Sequence, residues 1–117
     1  MNKLQYINSL LVLIVLWMPT YSWAKTKLFY LTLENNVFTP SELKIPAKEK
    51  VKLIIHNKDD KAEEFDSFDL NREKMLFPHK KAVIFIGPLL PGKYEYFGEY
   101  NPNSARGIII VEVGNAN

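Results

Sequence analysis

Cysteine is absent from the 117 residues. The fold therefore has no disulfide to rely on, and no thiolate can serve as nucleophile, metal ligand or lipid-attachment point. Histidine is scarce, His56 and His79 being the only two. No serine, histidine and acid stand in an arrangement that suggests nucleophilic catalysis. No glycine-rich loop is present to cradle a phosphate, and Gly87-Pro88 and Pro91-Gly92 read as turns. Basic residues are scattered. The densest groups are Lys48, Lys50, Lys52 and Lys80-Lys81, which provide no nucleic-acid-binding face. Long apolar runs are missing too. The unbroken stretch from Leu10 to Met18 is about half of the roughly 18–20 residues that span a bilayer.

That short run still carries information. Lys3 precedes it, Pro19 ends it, and Ser22-Trp23-Ala24 places small residues where a signal peptidase reads. This is the layout of a secretory leader over residues 1–24, cleaved after Ala24, and it predicts a periplasmic protein. The alternative is an uncleaved membrane anchor. Removing the leader takes away Lys3 and no acid, leaving 14 basic against 13 acidic residues. What remains, residues 25–117, is expected to be one domain standing on its own hydrophobic core. A composition of 47% hydrophobic and 24% charged residues fits a globular domain and argues against disorder.

From Lys27 onward the apolar residues recur with a period close to two. Phe29, Leu31 and Leu33 share one face of a first strand. Val37–Pro40, Leu43–Pro46 and Val51–Asn57 follow as extended pieces. Phe65–Leu70 reads as a strand or a helical turn, and Glu73–Phe77 as an extended segment stopped by Pro78. Ala82–Ile86, Lys93–Gly98 and Gly107–Val113 complete the set. Short strands separated by turns, with almost no helix, predict an all-β Greek-key β-sandwich of seven to eight strands.

The order of landmarks points to a family. Asn36-x-Phe38-x-Pro40-x-x-Leu43-x-Ile45-Pro46 precedes Val51-x-Leu53-x-Ile55-x-Asn57-x-Asp59. Gly87-Pro88-Leu89-x-Pro91-Gly92-x-Tyr94-x-Tyr96 follows, then Gly107-x-Ile109-x-Val111-Glu112. This resembles a cupredoxin. Glu63-Glu64-Phe65-Asp66-Ser67, Leu70-Asn71-Arg72-Glu73-Lys74 and Phe97-Gly98-Glu99-Tyr100 narrow the resemblance to EfeO-type cupredoxin domains and their stand-alone periplasmic relatives beside ferrous-iron permeases.

Electron-transfer cupredoxins hold copper with two His, a Cys thiolate and a weak axial Met. The resemblance implies that Glu63 or Glu64 stands where the first His would be. It puts Gly98, Asn101 and Ala105 where the Cys, second His and Met would be. A blue-copper centre is therefore excluded. The resemblance instead implies an oxygen-rich metal site assembled from Glu63, Glu64, Asp66, Glu73 and Glu99. Carboxylates are hard ligands suited to hard cations. The implied role is binding or oxidising ferrous iron, with or without copper, for a membrane iron permease and a periplasmic iron-binding partner.

Blander readings stand beside this one. Glu64 and Asp66 could be a solvated acidic loop, and Glu73 could pair with Arg72 or Lys74. Met75 reads as core, His56 as an outward strand residue and His79 as a turn residue; together Met75 and His79 would be the ligands of a copper carrier. Asn101 is a weak ligand where the resembled family often carries His. It favours the alternative function, a metal-free protein-interaction module.

Overall fold

The structure is a computed structural model that describes residues 25–114 and Pro19. The expected leader, apart from Pro19, lies outside the described residues. Nine strands run in chain order: β1 (Lys27–Glu34), β2 (Val37–Thr39), β3 (Glu42–Pro46), β4 (Val51–Asn57), β5 (Glu63–Ser67), β6 (Arg72–Leu76), β7 (Lys81–Ile86), β8 (Gly92–Gly98) and β9 (Arg106–Glu112). They form a four-stranded sheet in the order β2-β1-β4-β7 and a five-stranded sheet in the order β3-β9-β8-β5-β6. The pairs β1/β4 and β3/β9 are parallel and the others antiparallel. The expected β-sandwich is present, and every extended segment read from the sequence is a strand. The segment from Phe65 divides: β5 ends at Ser67, and a turn leads through Asn71, whose φ is +54°.

Alternation decides which residues meet between the sheets. On β4 the odd positions Val51, Leu53, Ile55 and Asn57 are fully buried while the residues between them are half-buried. Leu31 and Leu33 of β1 and Ile84 and Ile86 of β7 extend that inner face. Across the core stand Phe65, Tyr96, Ile109 and Val111. Phe38 joins the two layers with its ring edge-on to Phe65 and Tyr96, at 6.2 and 5.3 Å between centroids. Phe65 and Tyr96 stack at 5.0 Å. Such pairs add about 0.5–1.5 kcal/mol each beyond the burial of their area. Burial also pushes the Tyr96 hydroxyl well above its ordinary value, and that hydroxyl donates to the Pro40 carbonyl at 3.4 Å. Gly107 is required here, because a Cβ would run into the Tyr96 ring and hydroxyl.

The Asn57-x-Asp59 landmark is a tie rod at the end of the sandwich. Buried Asn57 donates through Nδ2 to the carbonyls of Lys61 and Leu76, and accepts from the Asp59 amide through Oδ1. The Asp59 carboxylate then accepts from the amides of Asn35 and Asn36, two residues held at positive φ in the β1–β2 turn. The start of β5 and the end of β6 are thereby fixed to the strand that centres the other sheet.

Truncating the aromatic junction tests this packing. Phe65→Ala should lower the stability measured by urea unfolding by about 3–5 kcal/mol, with an unchanged m-value.

Candidate functional site

The strand β5 carries acidic residues on both of its faces. Glu63, Phe65 and Ser67 point into the sandwich, and Glu64 and Asp66 point out of the five-stranded sheet. On β6, Glu73 is paired with Asp66 and Met75 with Glu64. Register therefore delivers Glu73 to Asp66 and sets Met75 beside Glu64 on the outer face. Glu64, Asp66 and Glu73 each offer one carboxylate oxygen, and these oxygens lie within 4.8 Å of one another. Metal–oxygen bonds to hard cations are about 2.0–2.6 Å, so two ligands on opposite sides of one ion stand about that far apart.

Nothing basic neutralises the group. Arg72 is turned away, with Nε donating to the Phe85 carbonyl and Nη1 to the carbonyls of Leu70 and Asn71. Among the described residues the only ion pairs are Lys27–Glu49 and Lys44–Glu112. The pairing of Glu73 with Arg72 or Lys74 that the sequence allows is absent from them. Asp66 is 7% exposed, and its Oδ1 is buried without a hydrogen-bond partner. Loss of water pushes the Asp66 carboxyl above its ordinary value, and the charges of Glu64 and Glu73 push the same way. A hydrogen bond from Glu99 opposes them. The Glu99 carboxyl is raised in turn, chiefly by that bond to Asp66. Glu99 thus joins the rim of the group, its amide donating to the Glu64 carbonyl at 2.9 Å.

Glu63 is not with them. It is 1% exposed, and its carboxylate is spent inside the protein. Oε1 accepts from the amides of Glu64 and Tyr100, each at 2.8 Å, and Oε2 accepts from Asn101 Nδ2 at 2.9 Å. The expectation that all five acids form one site is corrected on this point: alternation sends Glu63 to the opposite face of the sheet. Met75 is half-buried on the outer face rather than in the core, with the Tyr100 hydroxyl 3.7 Å from its Sδ. His56 lies half-buried on the outer face of the other sheet, and His79 sits in a turn at φ +58°. Neither belongs to the carboxylate group.

The positions that the resemblance assigns to copper ligands do come together, but as a packed plug. A Cβ on Gly98 would lie 2.6 Å from Glu63 Cδ and 2.8 Å from the Ala105 Cβ. Glu63, Gly98, Asn101 and Ala105 therefore fill one another's space, with no sulfur and no imidazole among them. They do not fit copper of the blue type. Next to the outer carboxylates, Asp66, Ser67, Phe68, Asn71, Arg72 and Glu73 line an open depression of about 360 Å³.

The raised carboxyls carry a sign. Between its ordinary value and its raised one, the folded chain holds more protons than the unfolded chain. Stability is therefore greatest below the ordinary value and falls as pH rises through the raised one. In chelator at pH 7, Asp66→Asn should unfold at a higher temperature than the wild type. That advantage should vanish below roughly pH 4, as thermal melts across pH would show.

Known proteins place this arrangement. A protein of Rickettsia prowazekii (strain Madrid E) is 47% identical over 81 residues, 69% of this chain and 65% of that protein. The chain thus matches a little under two thirds of that relative's length. The metal-binding domain of a Cu(I)-exporting P-type ATPase from Streptococcus pneumoniae D39 superposes with a TM-score of 0.65 at 13% identity, over 78% of this chain and 91% of that one. Auracyanin A, a blue copper protein of Chloroflexus aurantiacus, gives 0.65 at 10% identity, over 75% of this chain and all of that one. At such identities the likeness is one of fold. Residues 7–111 match the family model described as a cupredoxin-like domain, and the chain belongs to that family.

Proposed function

We propose that this protein is an exported, periplasmic cupredoxin-like protein that binds a hard cation on the outer face of its five-stranded sheet. Glu64, Asp66 and Glu73 are the ligands, with Glu99 at the rim. The observation that carries the reading is Asp66. A carboxylate oxygen buried without a partner, among like charges and no base, is costly unless a cation arrives to share it. Iron is the cargo that suits these ligands and the EfeO-type resemblance. Oxygen donors favour Fe³⁺ over Fe²⁺, so binding would ease the loss of one electron from Fe²⁺ to an external oxidant. We assign the chain binding rather than turnover, with delivery toward a membrane iron permease and a periplasmic iron-binding partner.

A second reading, a metal-free interaction module, is favoured by Phe68. This side chain is 85% exposed and tilted against Phe97 at 5.5 Å, beside the acidic group.

Titration of the folded protein with Fe³⁺, Cu²⁺ and Zn²⁺ separates the two readings. Fe³⁺ should bind at one equivalent, and Glu64→Gln and Glu73→Gln should each weaken it by at least about tenfold, the order expected for losing one charged ligand. If neither substitution changes binding of any ion, the site is not here.

A further inference from the structure

The residue that alternation removed from the outer site has a task of its own. Three donors converge on the Glu63 carboxylate, and they come from two pieces of chain. The Glu64 amide belongs to β5, whereas the Tyr100 amide and Asn101 Nδ2 belong to the loop after β8. That loop, residues 99–105, is otherwise tied mainly to itself and to the end of β8. The Asn101 amide donates to Gly98, the amides of Ser104 and Ala105 donate to Asn101, and the Gly98 amide donates to Ala105. Among the described residues its backbone link to β5, besides Glu63, is the bond from the Glu99 amide to the Glu64 carbonyl. Gly98, with no Cβ, leaves the space the carboxylate occupies.

We infer that Glu63 is a positioning residue: its buried carboxylate clamps Glu99, Tyr100 and Asn101 onto β5 and so holds the Glu99 side chain beside Asp66. This rests on the cation site proposed above for its functional consequence, though not for its structural content. The Glu63 carboxylate does from inside the sandwich what a shared metal ion would do in a copper-binding relative of this fold. It joins the loop to the neighbouring strand through one centre. The clamp is permanent, because all its parts belong to the chain. Glu99 can then be poised at the outer site before any cation arrives.

The geometry supplies its own control. Glu63→Met keeps the length and removes every acceptor, whereas Glu63→Gln keeps an acceptor for the two backbone amides, and the Asn101 carboxamide can turn over to accept from the Gln side-chain N–H. Amide hydrogen exchange of the metal-free protein, followed by NMR, is the first readout. Glu63→Met should cut the protection of the Tyr100 amide by at least about tenfold, and Glu63→Gln should keep most of it. Unchanged protection in Glu63→Met overturns the clamp.

Cation affinity is the second readout, with Fe³⁺ supplied as its citrate complex. Glu99→Gln should weaken binding in the wild-type background and have no further effect when Glu63→Met is already present. Glu64→Gln should weaken binding equally in both. If Glu99→Gln costs the same in both backgrounds, Glu63 does not position Glu99. If the wild type takes up no cation, the proposed function falls, and hydrogen exchange alone decides whether the clamp exists.

Discussion

A carboxylate buried to 1% exposure has to find donors inside the protein, and Glu63 finds three. Much at this end of the molecule follows from that requirement. Gly98 has to lack a side chain, Asn101 has to present its amine, and the 99–105 loop has to turn back so that the Tyr100 amide points inward. An unpaired carboxylate at this depth would cost several kcal/mol, so these features belong together. At position 101 the Glu63 carboxylate takes a side-chain N–H donor, which Asn101 supplies.

The outer face inverts this logic. Where Glu63 is fully provided with donors, Asp66 is left with an oxygen that has none, and its neighbours on the sheet are acids. The hydrogen bond with Glu99 works against the loss of water at Asp66 and raises the Glu99 carboxyl in turn. Arg72, next to Glu73 in the chain, is committed to three carbonyl oxygens. Two carboxylates three residues apart on one strand thus enter opposite regimes. The side of the sheet, not the chemistry of the side chain, sets the role.

Most of the fold could be read from period-two alternation, because the core faces of β1, β4 and β7 are almost purely aliphatic. The nine strands exceed the expected seven to eight, the segment from Phe65 having been open between a strand and a helical turn, and β2 being only three residues long. The acidic residues of the candidate site were legible as a group. Their division between two faces was not, since Glu63-Glu64 offers the same side chain in either register. Only the neighbours across the strands, Leu76 opposite Glu63 and Met75 opposite Glu64, settle which one is inside. Asn57 was visible as a landmark, but its bond to the Leu76 carbonyl at the end of β6 depends on chain folding that spacing alone does not encode.

The strand β6 lies at the border of its sheet, hydrogen-bonded to β5 and to no strand beyond it. Asp66 rests on an inner strand flanked on both sides, whereas Glu73 rides on this one-sided ribbon. In the proposed site two carboxylates would thus stand on a strand paired on both sides and one on a strand paired on one side only. A cage with one pliant wall adjusts to ions of different radius instead of rejecting them by size. Discrimination among cations would then come from charge density and donor hardness, with ionic dimensions carrying little weight.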